Sequence, residues 1–357
     1  MKKILVIMLI LLCGCSSVDS NSSTKKEYPN YFVDETGYLY HYDHLTKKEQ
    51  SMYRDIYNCM VDHRRFVDIE TNDEKQLDRL FYAVLEDNPE MFYLKSYSYT
   101  FDDDNCRFQP LYEINKKQIK AYNKDVELIK ENIVNETRSL NDFDKIKYIY
   151  DYVINNVKYV EDSPYNQEII SSMINKESVC SGYAKMVQYL LEAVNIDCSY
   201  ISGTAYSLED TDNPNHAWNL VELEDDYYYV DATWGDIEND GEPYILYDYL
   251  LFNSEDMLKL YSPSNDYSET VSDTNNYFKK TNAYFTSYDQ SGITNCLKNN
   301  SYNNSFEIKF SSDCYRSSVD KLIDGQAIYD IASNAGYNFE EITYIDNETM
   351  NSLYIKW

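Results

Sequence analysis

The chain is poor in the residues on which much enzyme chemistry depends. Its 357 residues hold four histidines and eight cysteines, so any mechanism built on imidazole or thiol has few candidates. Basic residues are short as well: 32 Lys+Arg stand against 61 Asp+Glu, a formal charge of -29. A surface of that sign repels phosphate backbones and excludes nucleic acid as a partner. Beyond the N-terminus there is no long apolar run, which excludes a polytopic membrane protein. The sequence shows no Gly-rich phosphate loop and no internal repeat. Against these lacks stand 43% hydrophobic residues and 39 tyrosines, enough to bury cores and exclude global disorder. The length suits two or three domains.

The N-terminus reads as an address. Lys2 and Lys3 precede nine apolar residues at 4–12, followed by Cys13-Gly14-Cys15. A basic start, a short apolar stretch and a small residue before the cut predict a signal peptide over 1–14. Nine residues are too few to span a bilayer, which takes roughly 20. Residues 12–15 also resemble a bacterial lipobox, which implies cleavage before Cys15 and lipidation of Cys15. Residues 15–30, rich in Ser and Asn, then form a flexible tether. Losing 1–14 removes two lysines and no acids, leaving 30 basic against 61 acidic residues, or -31. Such a body gains nothing from anionic lipid, so the lipid alone would hold the chain to the extracytoplasmic face of the cell membrane.

Three regions follow. Residues 31–140 read as mainly helical. Thr46 and Glu49 have capping-box spacing, and Leu77, Leu80, Phe81, Val84 and Leu85 recur at helical intervals until Asn88-Pro89 stops them. Ile119, Tyr122, Val126, Ile129 and Ile133 predict a third helix, with strands and loops over 92–110 between. This region has packing stripes and no chemical constellation. His41 and His44 have a spacing a metal could use, but no Cys cluster joins them, and packing is the commoner role for them and for His63. Residues 141–262 begin with a helix capped at Asn141 and striped by Phe143, Ile146, Tyr150, Val153 and Val157. After an irregular stretch, 161–178, a second helix starts at Cys180 with Ala184, Val187, Leu191 and Val194 inward. A strand at 198–203, an acidic loop at 208–215 and two strands at 216–223 and 227–233 follow. Glu224-Asp225-Asp226 joins the last two as a hairpin without an ideal Gly turn. Residues 263–357 open with a polar linker and read as a small α+β module: a strand at 306–310, one helix at 319–334 and a final strand at 353–357.

Chemistry gathers in the central region. Cys180 sits at a predicted helix N-terminus, where the dipole and first-turn amides favour a thiolate and point at any oxyanion formed by its attack. Gly182 leaves room there for a substrate backbone. A thiolate needs a base, and His216 is the only histidine after residue 63. Asp231 lies fifteen residues on, in the next strand. A two-residue turn at Glu224-Asp225 places Trp218 opposite Asp231 and makes Asp231 the diagonal neighbour of His216, and a register two residues different places the pair directly opposite; either is within reach of a hydrogen bond. That bond would orient the ring and stabilise the imidazolium. A buried structural Cys, a core His and a turn Asp are the bland alternatives, each reasonable alone and improbable together.

Residues 179–184 (VCSGYA), 216–219 (HAWN) and 230–234 (VDATW) resemble the three signatures of the bacterial transglutaminase-like superfamily, and the intervals of 36 and 15 fit it. The resemblance covers about 145–250. It implies an α+β, papain-like core in which a helix bearing Cys180 packs on an antiparallel sheet. It also implies that Cys180 attacks an amide carbonyl, His216 shuttles the proton and Asp231 holds His216. Asn166-Gln167 resembles an Asn-Gln-Ser stretch of bacterial members, which makes Gln167 a candidate oxyanion donor, although Glu168 replaces the Ser. Trp218 and Trp234 are expected to pack beside the triad. No calcium site, other metal or cofactor is implied. The expected activity is that of a cell-surface cysteine enzyme forming a thioester from a peptide or Gln amide, then releasing it to water or an amine. The rival is a non-catalytic binding or structural lipoprotein on the same fold. Cys59, Cys106, Cys198, Cys296 and Cys314 are left over, an odd number that allows at most two disulfides.

Overall fold

A computed structural model describes residues 32, 38–102, 104–206, 215–239, 242–264 and 272–357. The expected signal, tether and lipidated Cys15, and most of the acidic loop, lie outside these residues.

The N-terminal elements form where their caps dictate. Helix α1 (Lys47–Val61) starts at the Thr46 capping box, with Thr46 and Glu49 each bonding the other's backbone. Helix α2 (Glu74–Asp87) buries Leu77, Leu80, Phe81 and Val84 and ends at Asn88. Strands β1 (Val67–Ile69), β2 (Leu94–Asp102) and β3 (Asn105–Tyr112) form a small antiparallel sheet with β3 central. Helix α3 (Lys116–Thr137) begins at a second capping box, Asn115 with Gln118.

The central region pairs two helices with a sheet. Helix α4 (Asp142–Asn156) is capped by Asn141 and buries Ile146, Ile149, Tyr150 and Val153. Helix α5 (Cys180–Ala193) lies against strands β4 (Cys198–Ala205) and β5 (Asn215–Leu223). With β6 (Asp226–Val230), β7 (Leu250–Phe252) and β8 (Tyr261–Pro263) they form an antiparallel sheet in the order β7-β6-β5-β4-β8. Glu224 and Asp225 both take the left-handed conformation, φ 56° and 65°, as a two-residue turn of primed type requires even without glycine. Leu223 therefore faces Asp226 and Asn219 faces Val230, which sets Trp218 opposite Asp231. One sheet face packs on α5 and α4. The other buries Trp218, Leu220, Tyr229, Phe252 and Tyr261 together with Met350 and Tyr354 from the C-terminal region.

Strand β6 stops earlier than its β-branched sequence suggests. Asp231 caps a short helix, Ala232–Gly235, instead of continuing the strand to 233. Its Oδ1 accepts from the amides of Thr233 and Trp234, and such a local side-chain cap outcompetes a ladder bond at a strand end. The C-terminal region is a four-stranded sheet, β9 (Tyr284–Phe285), β10 (Ser305–Phe310), β11 (Thr343–Asn347) and β12 (Ser352–Lys356), in the order β9-β10-β12-β11. Helix α6 (Gln290–Asn300) accompanies it, and the single helix expected at 319–334 is two, α7 (Tyr315–Leu322) and α8 (Ala327–Ala335). The break falls at Gly325-Gln326, where Gln326 is left-handed at φ 56°. A single apolar cluster nevertheless runs from Phe32 through the central helices to Ile355.

Candidate active site

The chain reaches Cys180 through a braced turn. The two-residue strands Lys158–Tyr159 and Glu177–Ser178 pair in parallel and deliver Val179 as the cap of α5, without a side-chain capping bond. The amides of Gly182 and Tyr183 fold back on Val179 O, at 2.9 and 3.2 Å. The amides of Cys180 and Ser181 are thus first-turn donors without an intrahelical acceptor. The Asn166 carbonyl grips this start from the preceding turn, accepting from Val179 N at 3.0 Å and from Ser178 Oγ. Here the expectation for Gly182 fails. A Cβ on Gly182 would stand 1.8 Å from Ser178 Oγ and 3.0 Å from Asn166 O, so the space belongs to this brace and not to a substrate.

Cys180 is half-buried, packed with Ala184, Tyr200 and Ala217, and stands close enough to His216 to raise the proton affinity of its ring. His216 in turn donates from Nε2 to Asp231 Oδ2 at 2.7 Å, which leaves Nδ1 as the ring nitrogen for the thiol. The three residues singled out from the sequence therefore meet, with Asp231 diagonal to His216 across β5 and β6. Burial alone would lower the His216 pKa. The Asp231 charge and hydrogen bond, and then Cys180, outweigh burial and push it up to about 10. The site therefore favours the imidazolium form of the ring, beside the Cys180 side chain.

Asp231 is more tightly held than two strand partners would require. It is 1% exposed and accepts four hydrogen bonds: the Thr233 and Trp234 amides on Oδ1, His216 and Tyr261 OH on Oδ2, the last at 2.8 Å. Tyr261 comes from β8 at the sheet edge and escapes sequence reasoning, being one of 39 tyrosines with no motif around it. Trp234, 5.2 Å from the His216 ring, Trp218 at 6.1 Å and Tyr261 at 6.0 Å wall the imidazole in. Asn219 of the HAWN stretch ties β5 to the helix by donating to Ala184 O at 2.9 Å. Ser181 Oγ meets Tyr200 OH at 3.0 Å.

The remaining candidates separate from this centre. Gln167 is exposed on the turn, and its neighbour Asn166, through the backbone, is what holds α5. Lys185 pairs with Glu168 at 2.7 Å, which gives the residue in the expected Ser position a structural partner. His63 stacks between Tyr93 and Tyr112, and His44 Nδ1 meets Tyr40 O at 2.8 Å. Among the described residues no group of three or more His, Cys, Asp and Glu could hold a metal ion, and the six cysteines there are all free. Burial pushes the thiols of Cys59, Cys106 and Cys296 up to about 12, 11 and 11, and that of Cys198 well above its ordinary range.

Comparison with known proteins bears on this region. Residues 130–232 match the family model described as Transglutaminase-like superfamily, under a third of the chain and inclusive of Cys180, His216 and Asp231. No curated protein matches significantly. Similar solved structures include a candidate cysteine protease from Cytophaga hutchinsonii, at 16% identity and TM-score 0.28, covering 39% of this chain and 61% of that one. A structure described as a TGase has 12% identity and TM-score 0.29, with 50% and 53% covered. The periplasmic domain of TgpA from Pseudomonas aeruginosa has 13% identity and TM-score 0.26, with 36% and 54% covered. The chain thus spans about three fifths or less of the length of these structures. The central region, a helix-borne cysteine on a curled antiparallel sheet, is a transglutaminase-like domain of papain-like α+β fold.

Proposed function

We propose that the protein is a cysteine acyl-transfer enzyme that opens a peptide or Gln side-chain amide through a thioester, at the outer face of the membrane and held there by lipid on Cys15. The placing of Cys180 beside a His216 that is hydrogen-bonded to Asp231 carries this reading. The Cys180 thiolate attacks the amide carbonyl carbon, and the carbonyl electrons move onto oxygen. The Cys180 and Ser181 amides stabilise that oxyanion. Collapse breaks the C–N bond as His216 gives its proton to the departing amine, leaving a thioester and a neutral ring. Water or an amine then attacks, His216 takes the proton, and the thiolate departs. Asp231 keeps His216 turned throughout and stabilises the ring whenever it carries the proton.

Iodoacetamide provides the test. Cys180 should label far faster than Cys59, Cys106, Cys198 and Cys296, whose burial disfavours the thiolate. His216→Ala should slow Cys180 labelling by about tenfold or more. Peptide or amide turnover, once a substrate is found among labelled peptides and amines, should vanish in Cys180→Ala. Uniform labelling of all cysteines, unchanged by His216→Ala, would rule the proposal out in favour of a binding role.

A further inference from the structure

The N-terminal region meets the central sheet where α2 packs on β4, and a cavity lies there. His41 Nε2, facing a carbonyl, donates to Tyr200 O at 3.0 Å. Ser202 Oγ donates to Glu86 Oε1, near the end of α2, at 3.0 Å. Between these contacts is a cavity of about 590 Å³ whose lining includes Tyr40, His41, Tyr82, Glu86, Tyr200 and Ser202. That volume suits a large side chain with part of its backbone.

Strand register places the cavity beside the thiol. Ser202 stands opposite Ala217, and the next residue, Gly203, stands opposite His216. Tyr200 and Ala217 pack in one cluster with Cys180, and the Tyr200 hydroxyl meets Ser181. Tyr200 and Ser202 share that face of the strand, so the cavity lies on the face of the sheet that packs against the Cys180 end of α5.

Its electrostatics are unfinished. Glu86 is the acidic residue among the described lining, and its side chain is 12% exposed. His41 is the near cation of Glu86, and the others are paired elsewhere. Arg79 pairs with Glu49, Lys185 with Glu168, and His41 lies 3.6 Å away with its Nε2 proton on Tyr200. Burial raises the Glu86 pKa, against the pull of His41, Ser202 and Lys185. A buried carboxylate gains most from a close cation, and Tyr40, Tyr82 and Tyr200 offer rings for an aliphatic stem and its charge. The chain's charge of -29 also draws cationic ligands inward.

We infer that this cavity is a specificity pocket for a basic side chain, Lys or Arg, of the peptide presented to Cys180, with Glu86 as its counter-ion. The inference rests on Cys180 being the nucleophile. The N-terminal region is then half of the substrate site, where its sequence showed only packing stripes.

The test uses the full chain and peptidyl acyloxymethyl ketones that alkylate Cys180, carrying Lys, norleucine or Glu at each of the three positions before the ketone. At one position Lys should exceed norleucine by about tenfold in labelling rate, with Glu slowest. Glu86→Gln should collapse the Lys-to-norleucine ratio toward one. Raising salt on the unmodified protein should shrink the same ratio, which removes any dependence on how well the variant folds. Equal rates at all three positions, or a ratio indifferent to both Glu86→Gln and salt, would overturn the pocket. Iodoacetamide separates the two ideas: His216-dependent labelling with flat peptide preference removes only the pocket, whereas loss of that dependence removes the nucleophile.

Discussion

Asp87 in the N-terminal region and Asp231 in the central one are built alike. They are 4% and 1% exposed, and each accepts two backbone amides and one tyrosine hydroxyl. For Asp87 the donors are His41 N, Tyr42 N and Tyr53 OH. For Asp231 they are Thr233 N, Trp234 N and Tyr261 OH. The difference is the fourth donor on Asp231, a titratable imidazole whose other nitrogen faces a half-buried thiol. A buried aspartate that only collects donors is architecture. The same device becomes chemical only where one donor can exchange a proton and stands beside a nucleophile.

Swapping each aspartate for asparagine is the sharpest way to break this comparison. In Asp231→Asn, keeping the oxygen on the two amides turns the NH2 toward His216 Nε2 and forces the ring into the wrong tautomer. Turnover should fall by about 10²–10⁴, with most of the fold's stability retained. Asp87→Asn should leave kcat per folded molecule unchanged and cost about 1–3 kcal/mol, because three donors converge where an amide offers one acceptor. Kinetics and urea unfolding on the two variants read both effects. Equal kcat losses would show that Asp87 is not merely architectural.

Stability against pH distinguishes the regions next. The His216 pKa is raised from 6.5 to about 10 in the fold, so its protonated form favours the native state. That contribution is fully present below pH 6.5, declines between 6.5 and about 10, and is gone above. Each tenfold gain in proton affinity on folding is worth about 1.4 kcal/mol, before screening and relaxation reduce it. Asp87 runs the other way. Burial raises its pKa despite its donors and His41, so its charged form disfavours the fold and acidification relieves that cost. Urea midpoints of the protein and of His216→Gln should converge as pH climbs from 6.5 to 10. A constant gap would mean that His216 is not charged in the native state.

The contrast between local and distant donors also explains what the sequence could show. Capping boxes and Asn caps are local, so Thr46, Asn141 and the start of α5 at Cys180 are readable from residues a few positions apart. The hairpin is readable because Glu224-Asp225 permits only a short turn, and register then places Asp231 diagonal to His216. What stays hidden is non-local or carried by backbone. Tyr261 reaches Asp231 from a strand thirty residues on, the Asn166 brace acts through a carbonyl, and Glu86 meets Ser202 across 116 positions. Neither Asp231's second role as a helix cap nor the break between α7 and α8 leaves a periodic signal, since both depend on one residue's local competition between conformations.

The smallest effect tests whether the tyrosines are as equivalent as they look. Tyr261→Phe removes one of two donors to Asp231 Oδ2 and leaves His216 as the other. A single hydrogen bond to a buried carboxylate is worth about 1.5–3 kcal/mol, but the remaining imidazolium is charged and can tighten as the hydroxyl leaves. Turnover should therefore drop only a few-fold to about tenfold, and the upper end of the activity's pH range should move up, since the carboxylate concentrates its charge on His216. Tyr53→Phe removes a donor to Asp87 Oδ2 and one of two acceptors of Asn88 Nδ2, which donates to the same hydroxyl at 2.9 Å and to Val84 O at 2.7 Å. It should cost about 1–3 kcal/mol of stability and shift no pH profile. A pH profile unmoved in Tyr261→Phe would mean that Tyr261 only fills space behind the carboxylate, and would reduce the working unit to Cys180, His216 and Asp231.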